Sequence, residues 1–222
     1  MKRGCRRICL SLLAMLCWLT AAAQRDSLAY RLTPFVKGGL TVGFLDDGNG
    51  ATEAGHTGFY LNAGVRIPFQ RGDSNAPCLV PSLRFIVKGE TLERVAGRVF
   101  LNMQFVELPI VVAYHIRNNK WQCVLGAGGF VGYGVGGRLT GSDRFYNYHG
   151  YRLADEPSTF GPEVGVRRWD YGLTLMYDFQ YKNFIFSFDI EKGLHVLVPS
   201  TFNCGDENTT VAISLGIGYA LR

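Results

Sequence analysis

The sequence predicts an all-β protein, a closed up-and-down antiparallel transmembrane β-barrel of about eight strands. Three observations carry this. Side chains alternate with period two along the chain after residue 24, and no window holds the i, i+3, i+4, i+7 recurrence of an amphipathic helix for more than a turn or two. One face of each alternating segment is bulky and apolar, while the other is largely Gly, Ala, Ser and Thr, with 28 glycines in 222 residues. The connections between segments run short, then long, with one exception.

Residues 1–23 read as a secretory signal peptide and residues 24–222 as the barrel domain. Lys2, Arg3, Arg6 and Arg7 form a basic start, "ICLSLLAMLCWL" is apolar but short for a bilayer span, and Ala21 and Ala23 give an A-x-A cleavage pattern before Gln24. Cys17 lies in the apolar run, but Leu16 before it is too large for a lipoprotein signal. Four of the 23 Lys and Arg leave with this segment, so 19 face 18 acidic residues and the mature net charge is +1. The basic pI therefore belongs to the targeting segment and is no sign of nucleic acid. Cys78, Cys123 and Cys204 remain, an odd number without C-x-x-C spacing, and Cys78 and Cys123 fall on strands separated by another strand. No disulfide framework is expected.

The segments follow in order. "PFVKGGLTVGF" sets Val36, Leu40, Val42 and Phe44 against Lys37, Gly39, Thr41 and Gly43; "TGFYLNAGVRIPF" sets Phe59, Leu61, Ala63, Val65, Ile67 and Phe69 against Tyr60, Asn62, Gly64, Arg66 and Pro68. "LVPSLRFIVKG" opposes Leu79, Leu83, Phe85 and Val87 to Ser82, Arg84 and Lys88. From Arg98 to His115, Val99, Leu101, Met103 and Phe105 share one parity, and Leu108, Ile110, Val112 and Tyr114 the other. A bulge near Val106 would reconcile them, because one extra residue flips every later side chain. "WQCVLGAGGFVGYGVGGR" puts Trp121, Leu125, Val131, Tyr133 and Val135 opposite Gly126, Gly128, Gly132, Gly134 and Gly136. "DYGLTLMYDFQY", "NFIFSFDIEKG" and "TTVAISLGIGYALR" complete the series, the last with Val211, Ile213, Leu215, Ile217, Tyr219 and Leu221 on its bulky side.

Alternation alone does not say which face looks inward, since a lipocalin-like soluble barrel alternates equally well with its apolar side inside. A soluble strand, however, would cover its second face with Lys, Glu and Thr. Glycine inside strands is costly and needs a geometric reason, which the crowded lumen of a narrow barrel supplies. The bulky face is thus expected to meet lipid, with Tyr114, Trp121, Tyr171, Tyr177, Phe179, Tyr181 and Tyr219 placed as interfacial girdles. The same parity turns Lys37, Arg66, Arg84, Lys88, Arg98, Glu107, Arg138, Asp170, Asp178, Asp189 and Glu191 inward. Both signs are present, which suits a neutralising network that fills the lumen better than a conducting pore.

Several motifs have plain readings. "GYGVGG" satisfies G-x-G-x-x-G but lies within a strand, with no helix after it to cradle phosphate. His56, His115, His149 and His195 are scattered, and no Ser/His/Asp grouping or metal-ligand spacing emerges. No catalytic, cofactor or metal residue is expected, nor an enzyme. Loop 140–168 interleaves Phe145, Tyr146, Tyr148 and Tyr151 with Arg144 and Arg152, which suits either an extracellular ligand or partner, or packing over the barrel mouth.

"FVELPIVVAYHI" at 105–116 resembles the Y-L-E-I-P signature of the PorT-like outer membrane β-barrel family, with Glu107 and Pro109 matching its E-x-P. "WDYGLTLMYDFQYKNFIFSFDIEKGLHVL" at 169–197 is similar to that family's closing hairpin, although His195 replaces a small polar residue. The chain ends in Leu221 and Arg222 where the family has an aromatic. The resemblance implies barrel architecture in the cell outer membrane, with lipid as the surrounding medium. The family's namesake takes part in protein export; most members have no assigned role. The expected role is structural or partner-binding. The alternatives are a small-solute porin, a component of a secretion machine and a soluble periplasmic binding barrel.

Overall fold

Each alternating segment forms a strand, because period two places all its bulky side chains on one face of an extended chain. The computed structural model describes residues 32–46, 54–69, 75–94, 97–118, 120–141, 158–162, 164–197 and 208–221. Eight strands run through them: β1 (Thr33–Asp46), β2 (Ala54–Pro68), β3 (Ala76–Arg94), β4 (Gly97–Arg117), β5 (Trp121–Gly136, resuming as Leu139–Gly141), β6 (Trp169–Tyr181), β7 (Phe184–Gly193) and β8 (Thr209–Ala220). Every strand pairs antiparallel with its neighbour in sequence, and β1 also pairs with β8, so the sheet closes on itself. Closure leaves no unpaired strand edge, which is what hydrocarbon demands of a spanning sheet.

The bulky faces point outward. Leu215 is 62 %, Leu173 58 % and Phe186 54 % exposed, whereas Ser214, Thr174 and Ser187 beside them are buried. Across strands the outward residues lie side by side: Leu40 faces Phe59 on β2 and Leu215 on β8. A soluble barrel with an apolar interior is excluded by this sense of facing. Tyr114, Tyr171, Tyr177, Tyr181 and Tyr219 are all on the outer wall. Inside, the small residues are needed for space: a Cβ on Gly39 would overlap the Leu215 carbonyl of β8.

Short turns lie on one rim, including Lys182–Asn183, where Lys182 adopts φ 56°. Both chain-terminal strand ends share that rim, which is therefore the periplasmic one. On the opposite rim β3 and β4 are 19 and 21 residues long. A spanning strand needs about 9–11 residues, so this hairpin rises roughly 20 Å above the bilayer.

The bulge expected near Val106 on β4 is not there. Leu101, Met103, Phe105, Glu107, Val111 and Ala113 are all inward and buried, and Val106, Leu108, Ile110 and Val112 are all outward, in one unbroken parity. What changes at Phe105 is the medium outside: above it the wall stands in water and the apolar residues of β4 turn to a core within. The bulge lies on the paired strand instead, where Gln104 faces Gly136 and Phe105 faces Gly134, leaving Val135 as the extra residue. Gly137, at φ 149°, follows it, and Leu139 then turns inward.

Candidate functional site

Three layers fill the barrel. At the periplasmic end Phe35, Cys78, Val80, Val111, Ala113, Val124, Met176, Ile185 and Ala220 form an apolar cluster. At the extracellular end Leu45, Ile86, Leu101, Met103, Phe105 and Leu139 meet Phe160, Val164, Val166 and Leu197, which fold in from the connections that follow β5 and β7. Phe160 reaches inward over Gly134, where any Cβ would overlap its ring. Thr159 fixes the segment by donating its backbone N–H to Gly137 O at 3.2 Å and its hydroxyl to Asn102 O at 2.6 Å.

Between the clusters lies an ionic layer. Lys37 Nζ is 2.8 Å from Asp178 Oδ1 and 3.4 Å from Asp189 Oδ2. Arg66 Nη2 meets Asp178 Oδ2 at 2.9 Å, and its Nη1 donates to Gln180 Oε1 at 2.5 Å. Arg84 pairs with Asp189 at 3.0 Å and with Glu191. Lys88 Nζ is 2.7 Å from Glu107 Oε1, 3.2 Å from Glu191 Oε2 and 3.4 Å from Asp170 Oδ2, to which Thr210 also donates at 2.9 Å. The four cations sit on β1–β3 and these five carboxylates on β4, β6 and β7, so the layer joins opposite walls of the lumen. Aromatic faces cover the cations from both ends: Phe35 lies 5.4 Å from Arg66 and 5.7 Å from Lys37, and Phe130 lies 4.4 Å from Lys88. Buried charges persist only when paired and hydrogen-bonded, and in this layer every cation has at least one acidic partner.

Nine of the eleven charges expected inside are in this layer. Arg138 is not: the β5 bulge reverses parity above Gly134, and Arg138 is exposed on the outer wall. The Arg98 side chain lies outside the described residues. Glu90 is inside as well, 2 % exposed, and accepts the Leu45 N–H at 3.4 Å. Continuing the β3 alternation one residue past the predicted end at Gly89 would have found it.

The tempting motifs resolve simply. Gly132, Gly134 and Gly136 lie within β5, not before a helix. His115 Nε2 is 2.9 Å from Gln122 Oε1, His56 rests near Phe100, and His195 stacks on Tyr171 at 5.2 Å. Cys78 faces the lumen and Cys123 is half-buried, 3.6 Å from the Tyr177 hydroxyl; both are free thiols. Among the described residues no group of three or more His, Cys, Asp or Glu could hold a metal. Residues 142–157, which carry the Arg and Tyr run of the predicted loop, and Cys204 lie outside the described residues.

The family described as "Outer membrane protein beta-barrel domain" matches residues 23–198. The chain belongs to this family, and its place is the outer membrane. Its barrel is similar to three solved structures. Ail, the attachment invasion locus protein of Yersinia pestis, is 14% identical with a TM-score of 0.45, and the match covers 85% of this chain and 98% of that one. Neisserial surface protein A is 9% identical with a TM-score of 0.45, over 84% and 96% of the two chains. OprG from Pseudomonas aeruginosa is 14% identical with a TM-score of 0.38, over 86% and 96%. No curated protein matches the chain.

Proposed function

We propose that this barrel is a non-conducting, non-catalytic component of the outer membrane that serves as a structural scaffold and presents its extracellular wall and loops to a partner or ligand. The observation that carries this reading is the layering of the lumen. An ionic layer held by interlocking pairs lies between two apolar clusters, so an ion crossing the barrel would have to break buried pairs and pass two dry plugs.

The porin alternative needs a continuous wet path, and the two clusters argue against one. The finer likeness to PorT-like proteins rests on Glu107 and Pro109 and on the hairpin at 169–197, and Glu107 and Pro109 both serve architecture here. Glu107 pairs with Lys88, and Pro109 is an inward residue of β4. A role in secretion draws no support from either.

Single-channel recording on the purified, refolded protein tests the reading. It should give no unitary steps across the bilayer, and reproducible steps would overturn the sealed lumen. Deletion of residues 142–157 should leave the barrel folded and reduce crosslinking to envelope or surface partners. Unchanged crosslinking would remove the loop from the proposed role.

A further inference from the structure

Followed pair by pair, the ionic layer is one chain of alternating charge. Arg66 meets Asp178, Asp178 meets Lys37, Lys37 meets Asp189, Asp189 meets Arg84, Arg84 meets Glu191 and Glu191 meets Lys88. Each carboxylate within this run has a cation on both sides. At the Lys88 end the alternation breaks, because Lys88 also touches Glu107 and Asp170. The layer therefore sets four cations against five carboxylates, and the surplus acid sits beside Lys88.

Among the described residues no further cation reaches that end. Glu107 faces Arg84 across the β3–β4 register and Gly132 across β4–β5, and Arg84 is already held by Asp189 and Glu191. From β6, Asp170 brings a second acid, which accepts the Thr210 hydroxyl of β8. Glu90, the next inward residue of β3, is another acid and takes the Leu45 N–H of β1. Lys37 of β1 and Arg66 of β2 are engaged by Asp178 and Asp189. Phe105 and Phe130 close over Lys88 with ring centroids 5.7 Å and 4.4 Å from its Nζ. Glu107, Asp170 and Glu191 are all fully buried, and Glu107 Oε2 and Asp170 Oδ1 receive no hydrogen-bond donor.

Glu107 of β4 and Glu191 of β7 lie within hydrogen-bond reach of each other. Two ionised carboxylates hold only acceptors, so a bond between them needs a proton on one. We propose that the lumen binds one proton at this place, held by Glu107 as an un-ionised carboxylic acid whose hydroxyl donates to Glu191. Glu107 is the holder because the other two acids are engaged. Glu191 is shared by two cations, Arg84 and Lys88, and Asp170 already accepts from Thr210. The layer is then neutral, with four charges of each sign, and every anion left in it keeps a cation. Two carboxylates confined together repel, and a buried charge without its own partner is costly; one proton removes both penalties.

Infrared spectroscopy of the intact barrel in lipid bilayers at neutral pH tests this, because the C=O stretch of an un-ionised carboxylic acid is resolved from carboxylate bands. The wild type should show such a band, moved by carboxyl-¹³C labelling of glutamate and unmoved by the same label in aspartate. Glu107→Gln should lose it, and Glu90→Gln, outside the chain of pairs, should keep it. Urea unfolding gives a second reading. Glu107→Gln exchanges one uncharged donor for another and should match the wild-type midpoint, whereas Glu191→Gln strips an anion from two buried cations and should lower it. Four results would each overturn the proposal: no band in the wild type, a band that moves with labelled aspartate, a band that survives Glu107→Gln or is lost in Glu90→Gln, or a Glu107→Gln midpoint as low as that of Glu191→Gln.

Discussion

Phe160 meets Phe105 edge-on, with ring centroids 5.6 Å apart and planes at 83°. One ring comes from a β4 residue that points inward above the bilayer, the other from a segment 55 residues later that folds back into the barrel mouth. Their contact is the centre of the extracellular plug. Phe160→Ala should lower unfolding stability by about 3–5 kcal/mol, as for other buried Phe truncations. Urea titration followed by heat-modifiable gel mobility would measure this. The variant should still show no channel steps, because the ionic layer beneath it is untouched.

Asp178 receives both Lys37 and Arg66. Asp178→Asn removes the shared anion and leaves two buried cations short of a partner, which should cost roughly 3–5 kcal/mol. The replacement is nearly isosteric, so the same titration reads charge loss without a cavity. A change under 1 kcal/mol would mean that the layer is hydrated.

Leu215 and Ser214 are adjacent in sequence and face opposite media. Leu215→Arg should cost about 2–4 kcal/mol when folded into lipid bilayers, the value for a midplane site, and much less in detergent that lets the side chain reach water. Ser214→Leu should cost about 1–3 kcal/mol in both, because it overfills the interior. Equal behaviour of the two variants across the two media would contradict the assigned facing.

Lys182 holds a positive φ in a two-residue turn, a conformation that disfavours a side chain by roughly 1–2 kcal/mol. Lys182→Gly should raise stability by up to about 1 kcal/mol after allowing for the flexibility glycine adds to the unfolded chain. A shift in urea midpoint at unchanged slope would report it.

Most of the wall was legible in the sequence because a strand has one strict period. From Val36 to Leu221, parity placed outward and inward residues on every strand, and nine inward charges followed from it. Parity failed where its premise did. An apolar face meets lipid only within the bilayer; above Phe105 the outside is water, so Leu101, Met103 and Phe105 turn inward without any bulge. The displaced bulge at Val135 then misplaced Arg138, since glycines on both sides of it carry no facing signal. Phe160, Val164 and Val166 were illegible for another reason: their segment has no period, and only the closed mouth of the barrel gives them a place to pack.

The split of the ionic layer, with its cations on β1–β3 and its carboxylates on β4, β6 and β7, constrains how the molecule can be built. A hairpin of β6 and β7 entering the acyl phase alone would carry Asp170, Asp178, Asp189 and Glu191 unneutralised, and β1–β3 alone would carry bare ammonium and guanidinium groups. Neither part is tolerable there without the other. Insertion and sealing of the seam between β1 and β8 thus become one event, and two fragments severed between β3 and β4 would be drawn together by the same opposed charges that the intact chain encloses.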